Sequence, residues 1–274
     1  MSIVFQLKAL ILGMVQGFTE FLPISSTAHL LIFTKILNLE LNDFIKSFVI
    51  IIQFASILAV VVLYWQKIIS NFFVYFKKLI IAFIPTSILG LIFYKVVKNF
   101  LQESFLIISL SLFFGGILII FLENYYFQKR QKLLIVDKKD VLTDPIEEIS
   151  YKKCFYIGLF QAIAMIPGVS RSAATIFGGL FLGISRRSIV EFSFLLAIPT
   201  MAAATGLDLI KTGLSFQRDE IVFLIIGFLT SFIVAMFSIK FLLRFIKKSN
   251  FKPFAWYRII IGLLTFVFFL LNIA

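Results

Sequence analysis

A single histidine, His29, and a single cysteine, Cys154, are all this chain holds of the two residue types most used for soft metal ligation. One cysteine excludes an internal disulfide. With no cluster of His, Cys and Asp to hold zinc, any bound metal would be a hard, oxygen-ligated ion. Charge is scarce too: 15% of the 274 residues are charged, 14 of them acidic and 26 basic. Together with 61% hydrophobic residues and a mean hydropathy of +1.04, this excludes a soluble domain and leaves an integral membrane protein. The basic residues are scattered between apolar runs, without the aromatic platforms nucleic acids require, so they read as loop residues of a membrane protein and no nucleic acid is expected. The first apolar run lacks a basic leader and a small-residue cleavage site, so the N-terminus is expected to remain as structure. The 36 phenylalanines read as lipid-facing bulk.

Against this background, residues 16–29, Gln-Gly-Phe-Thr-Glu-Phe-Leu-Pro-Ile-Ser-Ser-Thr-Ala-His, form a dense polar run. A carboxylate at the bilayer centre costs roughly 2.5–3.5 kcal/mol on insertion scales, so Glu20 needs a polar cavity or a partner. The competing reading is a polar loop at the membrane surface. Gln16 and Glu20, four apart, share a helix face. Pro23 stops that helix, and Ser25, Ser26 and Thr27 offer hydroxyl caps for a new one carrying His29 on the side of the two serines. The free N–H groups of such a start form an anion site.

The run from Ser2 to Val15 is too short to span a bilayer and suits a half-helix. Fuller spans are predicted at 45–66, 79–97 and 105–123, then at 188–210, 221–240 and 255–272. Residues 125–152 read as a polar cytoplasmic linker between a first repeat, 1–124, and a second, 153–274. Gly158 and Gln161 echo Gly13 and Gln16, Pro167 echoes Pro23, and Thr230-Ser231 echo Thr86-Ser87, all at offsets of 144 or 145. A re-entrant hairpin plus three crossings per half gives an inverted-topology repeat, all-α, with the two hairpins meeting near the midplane. On that topology 17 Lys and Arg fall on one side and 7 on the other, with Arg171 and Arg258 at membrane level. Positive-inside then turns both termini and the mouth of the first hairpin outward.

The second hairpin adds Ser170, Arg171, Ser172 and Thr175 to Glu20, Ser25, Ser26, Thr27 and His29. This is an anion site with a nucleophile: Arg171 suits phosphate oxygens, a serine beside a histidine supplies attack and proton transfer, and Glu20 orients the histidine or holds a divalent cation. Arg171 has an alternative as a snorkelling anchor, and Arg186-Arg187 read as topological anchors. Thr86 and Ser231 are expected merely to bond their own helix carbonyls. His29 as the nucleophile, with Ser26 as ligand, stays open, and so does a secondary transporter or lipid flippase, because inverted repeats with broken helices also serve transport.

These residues resemble the undecaprenyl-diphosphate phosphatase family associated with bacitracin resistance. Its first signature stands as Gln16 to Glu20 followed by Phe21 to His29, its second as Pro167 to Thr175, with a weaker trace in Trp256-Tyr257-Arg258 and Gly262. The resemblance implies hydrolysis of an undecaprenyl diphosphate to the monophosphate and inorganic phosphate in a bacterial plasma membrane, recycling the lipid carrier of peptidoglycan synthesis. It further implies a polyprenyl diphosphate substrate, a divalent cation (Mg2+ or Ca2+), a homodimer, and core roles for Glu20, Ser26, His29 and Arg171. Gln16, Ser25, Thr27, Ser170, Ser172 and Thr175 surround them. Gln16 stands where many members have Glu, which leaves Glu20 as the candidate metal ligand.

Overall fold

The computed structural model describes residues 3–96, 104–136, 145–212 and 217–271. Among them every regular element is helical: α1 Ile3–Thr19, α2 Ser26–Ile36, α3 Asp43–Ser70, α4 Phe72–Val96, α5 Phe105–Val136, α6 Tyr151–Ala162, α7 Arg171–Phe181, α8 Arg186–Thr212, α9 Arg218–Lys248 and α10 Lys252–Leu270, with single 3-10 turns at Ile146–Glu148 and Ile163–Met165. Polar caps start several of them. Asn42 accepts from the Ile45 N–H to open α3, Ser150 does the same for Lys153 in α6, and Gln217 and Glu220 form a reciprocal capping box at α9.

Six helices, α3, α4, α5, α8, α9 and α10, are long and apolar enough to cross a bilayer, which makes this a multi-pass membrane protein and matches the six spans expected. The other four fall short of the roughly 30 Å hydrocarbon core: at 1.5 Å per residue, α1 is about 26 Å long and α2, α6 and α7 about 16–18 Å. Parts of the stretch 125–152 are helical. Helix α5 runs on through Val136, Ile146 and Ile149 join the main core, and α6 has begun by Tyr151, while 137–144 lie outside the described residues.

The short helices pack across the chain: α1 lies along α9, and α6 along α4. Glycines permit both approaches. A methyl on Gly13 would sit 2.6 Å from the Gly227 carbonyl, and one on Gly158 would clash with that of Ala82. Both partners of the second contact lie 145 positions from those of the first in opposite directions, the same offset at which Gly158 and Gln161 follow Gly13 and Gln16.

Helices α3 and α8 run through the middle. The phenylalanines are not all lipid-facing: Phe73 and Phe121 are exposed, but Phe21 and Phe194 meet edge to face at 5.2 Å, and Phe48 and Phe223 at 4.6 Å, all four fully buried. At one end of the bundle Lys67 pairs with Glu191 at 2.6 Å, and Arg186 pairs with Glu123 between the rings of Tyr126 and Phe251. Arg186 is therefore a packed ion pair at that end of the bundle.

Candidate active site

Each short-helix pair breaks at a serine in the left-handed region. Ser25 has φ 74° and Ser170 φ 75°, and each caps the helix that follows, accepting from Ala28 N at 3.4 Å and from Ala173 N at 3.2 Å. A side chain held there costs about 1–2 kcal/mol, a strain typical of functional turns. The kinks turn the N-termini of α2 and α7, and the partial positive charge they carry, into one cavity of about 250 Å³ lined by Glu20, Ser25, Ser26, Thr27, Ser170 and Arg171. Gln53, Thr86, Gln161, Thr200, Met165 and Met201 close its other side.

Glu20 is the hub. Its Oε2 accepts from Ser26 Oγ at 2.7 Å and from Gln16 Nε2 at 2.8 Å, while Oε1 accepts from Arg171 Nη2 at 2.7 Å. The carboxylate is 5% exposed, so burial makes the Arg171 partnership a requirement. Arg171 Nη1 donates to the Ser193 carbonyl at 3.0 Å, and its Nε is buried with no partner among the described residues. Thr175 and Ser172 support this arrangement from behind. Thr175 bonds Ser193 Oγ at 2.6 Å, and Ser172 donates to the Leu22 carbonyl at 2.8 Å, tying the second break to the first.

The expected pairing of Ser26 with His29 does not form. His29 Nδ1 donates to the Ser25 carbonyl at 2.7 Å, which fixes the tautomer because a carbonyl only accepts, and its Nε2 accepts from Tyr257 Oη at 2.8 Å. The proton of Ser26 goes to Glu20 instead, because the turn through Pro23 brings residue 26 back over residue 20. Thr86 and Ser231 also depart from expectation. Thr86 donates across to the Gly158 carbonyl at 2.8 Å and Ser231 to that of Ile52 at 2.8 Å, so both join helices.

The sequence marked Arg258 as a membrane-level charge and part of a weak signature, without a role. It is fully buried and donates to four carbonyls: Pro23 and Val169 through Nη1, Ser111 and Gly168 through Nη2, at 2.9–3.2 Å. One side chain thus holds both helix breaks, and Gly115 leaves the space its guanidinium occupies. A lone arginine in an apolar span is itself the signal of such a role.

For a divalent cation the donors are oxygen only: Glu20, the hydroxyls around it, and Gln16 Oε1, buried with no partner among the described residues. No group of three His, Cys, Asp or Glu occurs among the described residues. One carboxylate and an amide oxygen fit a hard ion whose remaining ligands come from phosphate oxygens.

The Bacitracin resistance protein BacA family matches residues 9–264. A protein of Aquifex aeolicus named undecaprenyl-diphosphatase is 49% identical over 96% of this chain and 98% of its own length. Undecaprenyl-diphosphatases of Persephonella marina and Campylobacter jejuni are each 46% identical, over 96% and 97% of this chain and 99% and 94% of theirs. On a match of that extent, this chain belongs to the bacitracin resistance protein BacA family.

Proposed function

We propose that this protein is an undecaprenyl-diphosphatase, hydrolysing the lipid diphosphate to its monophosphate and inorganic phosphate, and so recycling the carrier of cell-wall synthesis and conferring bacitracin resistance. The observation that carries the chemistry is the chain Ser26–Glu20–Arg171, two contacts of 2.7 Å opening on a cavity flanked by two helix N-termini. Ser26 Oγ attacks the terminal phosphorus as its proton passes to Glu20. The bond to the bridging oxygen breaks, that oxygen leaves with the lipid phosphate, and water then releases phosphate from the serine. Arg171 and the N–H groups of α2 and α7 hold the oxygens as charge develops, with Ser25, Thr27 and Ser170 at the rim. His29 keeps the α2 start in place through Ser25 and Tyr257. A divalent cation held by Glu20 and Gln16 would neutralise diphosphate charge.

The purified protein in detergent, with no gradient, is expected to release phosphate from a prenyl diphosphate. Lipid movement in proteoliposomes without phosphate release would make it a transporter instead.

In the same reading each half is a re-entrant hairpin with three crossings, the halves are inverted, and the protein works as a homodimer. The sub-span length of α1, α2, α6 and α7 and the exchanged packing of α1 and α6 support the hairpins and the inverted halves. The charge division of 17 to 7 supports a mouth that opens to the outside. In a Cys154→Ser background, Asn42→Cys is expected to react with an impermeant thiol reagent on intact cells, and Asn250→Cys to resist it. The reverse pattern would overturn the sidedness.

A further inference from the structure

The repeat that built the catalytic end of the cavity also built its opposite end. Gln161 stands 145 positions after Gln16 and Thr200 144 after Ser56, while Thr86 lies 145 before Ser231, one position off the 144 register of the Thr86-Ser87 and Thr230-Ser231 echo. In one copy Gln16 Nε2 reaches Ser56 Oγ at 3.4 Å, and Ser56 bonds Ser231 at 2.8 Å. In the other, Gln161 Nε2 donates to Thr86 Oγ1 at 2.9 Å and Thr200 Oγ1 at 3.2 Å. The amide and two hydroxyls recur, but the counterpart of Glu20 is Met165, a thioether. Gln161, Thr86 and Thr200 moreover line the same cavity as Ser26 and Arg171.

We propose that Gln161, Thr86 and Thr200 form a neutral subsite for the inner phosphate of the lipid diphosphate, the one that stays on the lipid. This rests on the phosphatase reading. The terminal phosphate carries most of the charge and belongs with Arg171 and the two helix N-termini, whereas the inner phosphate, bonded to both lipid and bridging oxygen, carries one negative charge, which neutral donors can match. Its donors exchange at little cost. Thr200 Oγ1 donates to the Leu196 carbonyl four residues back at 2.8 Å, and Thr86 to that of Gly158. Both carbonyls lie within helices, so a hydroxyl that swings to a phosphate oxygen strands no buried acceptor. When the bridging bond breaks, its electron pair stays on the inner phosphate, which becomes a more highly charged monoester. No cation of this subsite is there to hold it, so the lipid product leaves.

The test measures KM and kcat for a short-chain prenyl diphosphate, together with the inhibition constant of inorganic phosphate, which fills only the Arg171 end. Thr200→Val is expected to raise KM about tenfold with kcat within about twofold and the phosphate constant unmoved. Gln161→Met should do the same, and it serves if Thr200→Val fails to fold, as judged by thermal unfolding. An unchanged KM, or a phosphate constant rising in step with KM, overturns the subsite. If the unmodified protein releases no phosphate at all, the phosphatase reading itself falls.

Discussion

Ser26→Ala is expected to lower kcat by about four orders of magnitude, and Glu20→Gln by about three, with both proteins still folded. The first removes the attacking oxygen. The second keeps the shape of the hub but leaves no base for the Ser26 proton and no charge for Arg171, whose Nη2 lies 2.7 Å from Glu20 Oε1. His29→Ala should cost far less, about tenfold to fiftyfold, because His29 hydrogen-bonds the Ser25 carbonyl and Tyr257 and not Ser26 or Glu20. Arg171→Lys, which keeps a charge but loses the fork, should fall between, at about a hundredfold to a thousandfold. Acid-quenched turnover should trap an acid-stable phosphoserine that Ser26→Ala abolishes. An acid-labile phosphohistidine, with His29→Ala as damaging as Ser26→Ala, would transfer the nucleophile to His29.

The second large effect is on folding. Arg258→Met is expected to cost about 3–5 kcal/mol, as leaving several buried carbonyls without their donor does, and to lower the unfolding temperature in detergent by about 10 °C. The substitution fills the volume but leaves the Pro23, Gly168, Val169 and Ser111 carbonyls without the guanidinium. Activity should fall with it, since those carbonyls belong to the two breaks that aim the cavity-lining N-termini. Arg258→Lys, whose compact head reaches fewer carbonyls, should be intermediate. Unfolding temperature and turnover both unchanged in Arg258→Met would show that the breaks hold themselves.

Hydropathy and local chemistry alone determined much of this protein. Six apolar runs of spanning length and the hydroxyl-capped breaks after Pro23 and Pro167 follow from spacing, as do the echoes at 144 or 145 residues and the candidate set Glu20, Ser25, Ser26, Ser170 and Arg171 proposed above, because caps, helix length and helix faces are properties of near neighbours. The partner of each side chain did not follow. That Ser26 bonds Glu20 and not His29 depends on the left-handed turn at Ser25, which a serine rarely adopts and no local propensity announces. Arg258 meets Pro23 across 235 positions, and Thr86 meets Gln161 across 75, distances that only helix packing closes. Nor could composition separate the phenylalanines of the core from those of the surface: lipid and protein interior are equally apolar, so burial inside a membrane protein leaves little trace in hydropathy, and tertiary packing decides it.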